Sequence, residues 1–307
     1  MNTTPRKPDF FLVGAPRCAT TAMFAYLGQH PQIFLPLRKE VHYFGSDLTR
    51  TPGNPWFVTN EQDYLALFKE APESKIVGEA SVLYLYSSQA AAEIKAFQPE
   101  AKIIIQLRNP IDMLYSYHGQ NLLAVQEDIQ DFQEAYNCVE QRRRRESIPR
   151  WCIMPEQLLY PDIAQFSAQV ERYYDQFGRD RVHIMIYDDF RKDTKGEFSR
   201  LLSFLGVDPG FEPQFNSINS HRKVRFRWLQ GQTQLPSLPI RLLLKLMSDK
   251  RGYHALIRLA TLNSTPAKRM PLKPEFKARL KREFSGDIQK LGELLGRDLS
   301  HWVREQA

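Results

Sequence analysis

Residues 10–27, FFLVGAPRCATTAMFAYL, constrain this chain more than any other stretch. Phe10, Phe11, Leu12 and Val13 form an unbroken apolar run, the pattern of a buried strand. Met23, Phe24 and Leu27 then fall at helical spacing and predict a helix with one buried face. Between strand and helix lies Gly14-Ala15-Pro16-Arg17-Cys18-Ala19-Thr20-Thr21. A strand that enters a helix through such a loop makes an anion site. Unpaired backbone N–H groups and the helix dipole supply partial positive charge, and Arg17 with two hydroxyls completes the cradle. It is not a Walker loop, because no Gly-Lys pair precedes the threonines.

The same alternation continues downstream. His30–Pro36 reads as a turn and short strand, Gly53–Phe57 as a Pro/Gly loop, and Glu61–Lys69 as a helix. Lys75–Glu79 and Lys102–Leu107 read as strands, with a helix over Ser87–Phe97 between them and Pro110 opening the next. Asp112–Arg145 is long and polar, with apolar residues at scattered helical positions. A helix over Pro161–Phe177, a strand over Val182–Tyr187 and a helix over Thr194–Leu205, closed by Gly206, complete the series. The pattern predicts an α/β fold: a P-loop-like parallel β-sheet flanked by helices. Ligands in such sheets bind at the carboxyl ends of the strands.

Past Phe215 the pattern changes. Asn219–Arg227 is strongly basic, Leu235–Ala260 holds two short basic amphipathic stretches, and Phe276–Leu295 reads as a charged helix. The expectation is one domain over 1–307, with the α/β core in 9–210 and a basic, mainly helical C-terminal region in 211–307. A chain of this size buries a core large enough to need neither disulfides nor metals. Its three cysteines, 18, 138 and 152, show no metal-ligand spacing and no even disulfide set, which points to a reducing compartment. There is no leader-like apolar run ahead of Phe10 and no stretch of membrane-spanning length, so a cytoplasmic protein is expected. The formal charge of +7 suits a polyanion ligand, and equally nucleic acid or an anionic membrane.

The loop at 14–21 resembles the one with which sulfotransferases dependent on 3′-phosphoadenosine 5′-phosphosulfate (PAPS) hold the 5′-phosphosulfate of their donor, roughly Gly-x-Pro-Lys/Arg-x-Gly-Thr-Thr. A second segment, Ile103–His118, resembles the family's 3′-phosphate segment, in which an Arg closes a strand and a Ser follows eight residues later; here these are Arg108 and Ser116. The resemblance covers most of the chain, from Phe10 to Trp302, and is vaguest between Gly231 and Met270. It implies PAPS as co-substrate, 3′-phosphoadenosine 5′-phosphate (PAP) as product, and no metal. The acceptor would be a hydroxyl-bearing molecule, a carbohydrate, glycolipid or other natural product, and not nucleic acid.

Carried over residue by residue, the resemblance places Arg17, Cys18, Ala19, Thr20, Thr21 and Ala22 around the donor's phosphosulfate, and Arg108 and Ser116 at its 3′-phosphate. Tyr187 would border the adenine or belong to the core, and Arg222 and Lys223 would close over the donor or stand as a solvated face. Lys39-Glu40-Val41-His42-Tyr43-Phe44 resembles the Lys-Glu-x-x-Phe-Phe segment of carbohydrate sulfotransferases, which makes Glu40 the candidate base, with Lys39 beside the sulfonate. His42 and His118 are rival bases. Three positions depart from the pattern: Ala19 for Gly, Met113 for an Arg, and Ala80 for a Lys in Glu79-Ala80-Ser81. Thr20 and Thr21 double as helix N-cap candidates, and Arg142–Arg145 reads as a solvated helical face or a binding surface for an acidic acceptor. A P-loop nucleotide kinase and a catalytically silent nucleotide-binding module are the alternatives. Leu238–Leu262 packs on the core or forms an acceptor lid on one reading, and makes a peripheral membrane contact on the other.

Overall fold

A computed structural model describes residues 6–50, 54, 56–215, 222–240, 258–266 and 270–304. Five parallel strands form the sheet: β1 (Phe10–Gly14), β2 (Ile33–Phe34), β3 (Ile76–Ala80), β4 (Lys102–Leu107) and β5 (Val182–Ile186). Their order is β2-β3-β1-β4-β5. β1 therefore sits in the centre, with Phe11 opposite Glu79 on one side and Ile103 on the other. All five residues of β1 are buried, as its unbroken apolar run requires.

Helices cover both faces. α1 (Thr20–Leu27) packs on one, and α2 (Glu61–Ala66), α3 (Ala90–Phe97) and α4 (Pro110–Leu123) follow in the chain. The long polar stretch resolves into α4, α5 (Phe132–Asn137) and α6 (Val139–Arg143). The helix expected over Pro161–Phe177 is broken into α7 (Tyr160–Ile163) and α8 (Phe166–Phe177), where the Phe166 and Ser167 N–H groups are capped by Asp287 from the far end of the chain. α9 (Tyr187–Lys192) starts at Tyr187, the residue expected to end β5, and α10 (Thr194–Leu205) follows. One core layer joins α3, α4 and α8 to the sheet through residues such as Ile94, Leu114 and Tyr173, and the other joins α1 and α10 through Met23 and Leu202.

The C-terminal region is helical in α11 (Arg227–Gln234) and α12 (Pro274–Leu295). It also contains an antiparallel pair the sequence did not suggest, β6 (Arg222–Val224) with β7 (Ser264–Pro266). α12 packs Leu280, Phe284 and Ile288 into the core beside α8. Residues 241–257, the centre of the amphipathic stretch read as a membrane contact or lid, lie outside the described residues, as do 216–221. Among the described residues no helix is long and apolar enough to cross a membrane.

Candidate active site

A cavity of about 850 Å³ runs across the carboxyl edge of the sheet. Strand order fixes its layout. Val82 and Leu83 follow β3, Arg17 and Thr20 follow β1, Arg108 and Ser116 follow β4, and Tyr187 follows β5; all line it. Both sequence motifs thus meet at the switch point expected for a sheet of this topology.

The loop after β1 is pinned before it turns. The Ala15 N–H donates to the Gln106 carbonyl at 2.7 Å, and Gly14 passes so close to the next segment that a Cβ there would stand 2.5 Å from the Leu85 Cβ. Arg17 and Ala19 are both left-handed, at φ 61° and 70°. Such residues shape the backbone concavities that receive anions. The left-handed geometry also explains why a Gly suits position 19: Ala19 holds the same turn at a cost of roughly 1 kcal/mol. Ala19 is the N-cap of α1 and no side chain caps that end, so neither Thr20 nor Thr21 plays the capping role proposed for it. The first N–H groups of α1 are left facing the cavity that Thr20, Thr21 and Ala22 line. Cys18 differs. Its thiol lies in the core against the Pro16 carbonyl, burial pushes its pKa up to about 12, and the residue does not line the cavity, unlike the donor contact expected of it.

Arg17 joins the two motifs. Its Nε donates to Ser116 Oγ at 3.0 Å and its Nη1 to Gln120 Oε1 at 3.2 Å. Burial, then the Arg108 charge, oppose its own charge. Among the described residues no carboxylate answers Arg17, whereas Arg108 has Asp112 at 4.0 Å and lies over the Tyr187 ring at 4.6 Å. Two neighbouring guanidiniums and an uncapped helix end form a site short of negative charge, and phosphate groups fit it. Gln120 was missed in the sequence, although it sits one helical turn beyond Ser116 on the same face of α4. Arg191 and Thr194 also line this end and carried no sequence signal. Met113 is fully buried, so the family's additional Arg has no counterpart here.

On the β3 side stand Lys39, Glu40 and His42. Glu40 is ion-paired to Lys39, its Oε2 accepts from the Val82 N–H at 2.8 Å, and His42 Nε2 lies 3.5 Å away. Burial would raise its pKa, but the Lys39 charge and the hydrogen bonds from Lys39 and the Val82 N–H outweigh it and hold the carboxyl below its ordinary range. Burial pushes His42 down to about 4, so the ring is neutral, with Nδ1 unpartnered among the described residues. Glu40 and His42 are left-handed at φ 62° and 47°. That backbone is held by Arg50, which donates to the carbonyls of 42 through 45, and by the Tyr84 hydroxyl. Behind them Ser81 Oγ donates to the buried Glu79 at 2.7 Å and accepts from the His42 N–H at 3.1 Å.

Other candidates fall outside. His118 is buried, with Nε2 at the Ile129 carbonyl, and is structural. Lys223 is exposed on β6 and does not line the cavity; Arg222 is placed by its backbone pairing with Pro266. The run 142–145 is not a uniform solvated face either. Arg142 is fully buried against Glu127, which also accepts from Tyr160.

The fold and site define an α/β protein with a cation-rich, anion-receptive cavity at the carboxyl edge of a parallel sheet, lined also by the Glu40 carboxylate. The chain belongs to the sulfotransferase family: the sequence model of the sulfotransferase domain matches residues 7–228. PAPS is the general donor of that family. A membrane-associated sulfotransferase of Dictyostelium discoideum, kil1, is 31% identical over 112 residues, 36% of this chain and 22% of the relative. Carbohydrate sulfotransferase 15 of Mus musculus is 25% identical over 258 residues, 67% of this chain and 45% of the relative. The chain thus spans less than half the length of these two curated relatives. The crystal structure of a sulfotransferase from Alicyclobacillus acidocaldarius superposes with a TM-score of 0.73 at 27% identity, covering 97% of this chain and 100% of that one.

Proposed function

We propose that this protein transfers a sulfonate from PAPS to a hydroxyl of a carbohydrate or glycolipid, with Glu40 as general base. The observation that carries the reading is the shortage of negative charge between Arg17, Arg108 and the uncapped end of α1, one step along the cavity from Glu40. Bound PAPS supplies a sulfonate whose bond to the bridging phosphate oxygen breaks, the electron pair leaving on the phosphate, as the acceptor oxygen bonds to sulfur.

The chain's own groups divide the work. The backbone of 17–22 and the Arg17 guanidinium hold the 5′ end and offset charge on the leaving phosphate. Arg108 and Ser116 hold the 3′-phosphate, with Tyr187 beside them. Lys39 neutralises the sulfonate oxygens. Glu40 takes the acceptor proton at Oε2, and His42, being neutral, keeps its ring against the carboxylate without competing for its charge. A Lys39 drawn to the sulfonate releases Glu40 from its ion pair, which raises the basicity of the carboxylate at the point of use. The name of the mouse relative, a carbohydrate sulfotransferase, supports a sugar acceptor at a coarse level.

Calorimetry with PAP, AMP and ATP–Mg²⁺ tests the donor assignment. Binding of PAP that is lost when the 3′-phosphate is absent is the expected result. A preference for ATP–Mg²⁺ would move the site to phosphoryl transfer and leave Glu40 without a role.

A further inference from the structure

We infer that the acceptor end of the cavity is built for an uncharged, hydroxyl-rich glycoside and against uronate-bearing or sulfated chains. The inference rests on the sulfotransferase reading and concerns the half of the site that binds the acceptor.

That half is walled by amides. Gln126 Nε2 donates to Gln234 Oε1 at 2.8 Å, and Gln126 Oε1 accepts from Gln157 Nε2 and from the Ile153 N–H, each at 2.8 Å. All three glutamines line the cavity. A chain of contacts ties them to the Glu40 side: Asn54 donates to the Gln234 carbonyl, Trp56 to that of Thr233, and Phe57 packs on His42 at 6.1 Å. The amide network uses the Gln234 Oε1 and leaves its amide nitrogen without a hydrogen bond among the described residues. Leu83, Leu123 and Ile153 supply apolar surface beside it. Amides that both donate and accept, set against apolar patches, match the alternating hydroxyls and C–H faces of a sugar.

Cations that would welcome an anion are used elsewhere. Arg50 is spent on four carbonyls and Arg227 donates to the Glu127 carbonyl. Arg142, Arg143, Arg144 and Arg145 each pair with a carboxylate, and none lines the cavity. Among the described residues the one Lys or Arg lining this half is Lys39, and it faces Glu40. Among the described residues, an anionic acceptor would therefore lose its water, find neutral donors and a Lys39 already paired to Glu40, and approach the Glu40 carboxylate.

The test uses the purified chain, labelled PAPS and matched acceptors that differ only in one carboxylate: para-nitrophenyl β-glucoside against β-glucuronide, and the galactoside against the galacturonide. The neutral member of each pair is expected to exceed its partner in kcat/KM by about 30-fold or more. Gln234→Lys, or Leu123→Lys should the first fold poorly, is expected to narrow that ratio to about threefold or less while PAP affinity is kept. Equal or better use of the uronides, a ratio unmoved by either lysine, or no transfer to any neutral glycoside by protein that still binds PAP would each overturn the inference. Failure of 3′-phosphate-dependent PAP binding would instead sink the sulfotransferase reading beneath it.

Discussion

The Glu127–Arg142 and Glu40–Lys39 pairs both lie beside the cavity, and they are built in opposite ways. Glu127 and Arg142 are sealed from water. Glu127 Oε1 accepts from the Asp128 and Ile129 N–H groups as well as from Arg142, and Oε2 accepts from Tyr160. Every acceptor is filled, and the knot fixes the turn that presents Gln126. Glu40 and Lys39 instead line the cavity, with Glu40 on left-handed backbone, next to a histidine whose Nδ1 is unpartnered among the described residues. A pair sealed from water holds a fold, here with only Arg142 Nε left unpartnered on the arginine among the described residues. A pair that is partly open and held by strained backbone is ready to exchange partners with a ligand.

That contrast can be broken by mutation. The largest expected effect on the fold is from Arg142→Ala, which leaves the Glu127 charge buried and unpaired and costs about 3–5 kcal/mol, a fall in Tm of roughly 6–15 °C. Lys39→Ala is expected to cost about 1 kcal/mol or less, because the cavity lets water reach Glu40. Similar losses in thermal melts of the two variants would erase the distinction. Glu40→Gln comes next: transfer should drop by about 10²–10⁴-fold while PAP affinity stays within about twofold. Unchanged turnover would reject Glu40 as the base.

Arg108→Ala sharpens the comparison at the other end of the cavity. It should weaken PAP by about 10–100-fold and leave AMP nearly unaffected, since the lost partner is the 3′-phosphate. Equal losses for both nucleotides would detach Arg108 from that role. The smallest effect at neutral pH concerns Glu79, a third carboxylate, buried with Oε2 unpartnered among the described residues and pushed up to about 8 by burial. A raised carboxyl favours the folded state below its unfolded pKa, and that contribution is lost as pH rises through about 8. Wild type should therefore lose Tm more steeply than Glu79→Gln between about pH 6 and pH 9. Parallel curves would show that Glu79 is not held protonated.

Much of this was legible in the chain. Phe10–Val13 and Ile103–Ile105 are continuous apolar runs, and a strand buried on both faces needs such a run. The loop at 14–21 and the Arg108–Ser116 spacing carry their chemistry within a few residues, so local sequence suffices to find them. Arg142 was misread because a run of four arginines looks solvated until the residue that packs over one of them, Tyr160, and its partner Glu127 are known. Thr20 and Thr21 look like caps by residue type, but the helix starts one residue earlier than that role requires. Lys223 looked like a donor contact because charge can be read along a chain and direction cannot.

The sequence by itself determined the parallel sheet, the loop at 14–21 at the centre of it and the Arg108–Ser116 segment, because strand burial and loop chemistry are short-range properties. Only the tertiary structure joined Arg17 to Ser116 and Gln120, set Glu40 between Lys39 and His42 on left-handed backbone, and gathered Gln126, Gln157 and Gln234 from three separate segments into one wall. Those contacts depend on which strands are neighbours and on how far each loop reaches over the sheet, and no stretch of local sequence contains either.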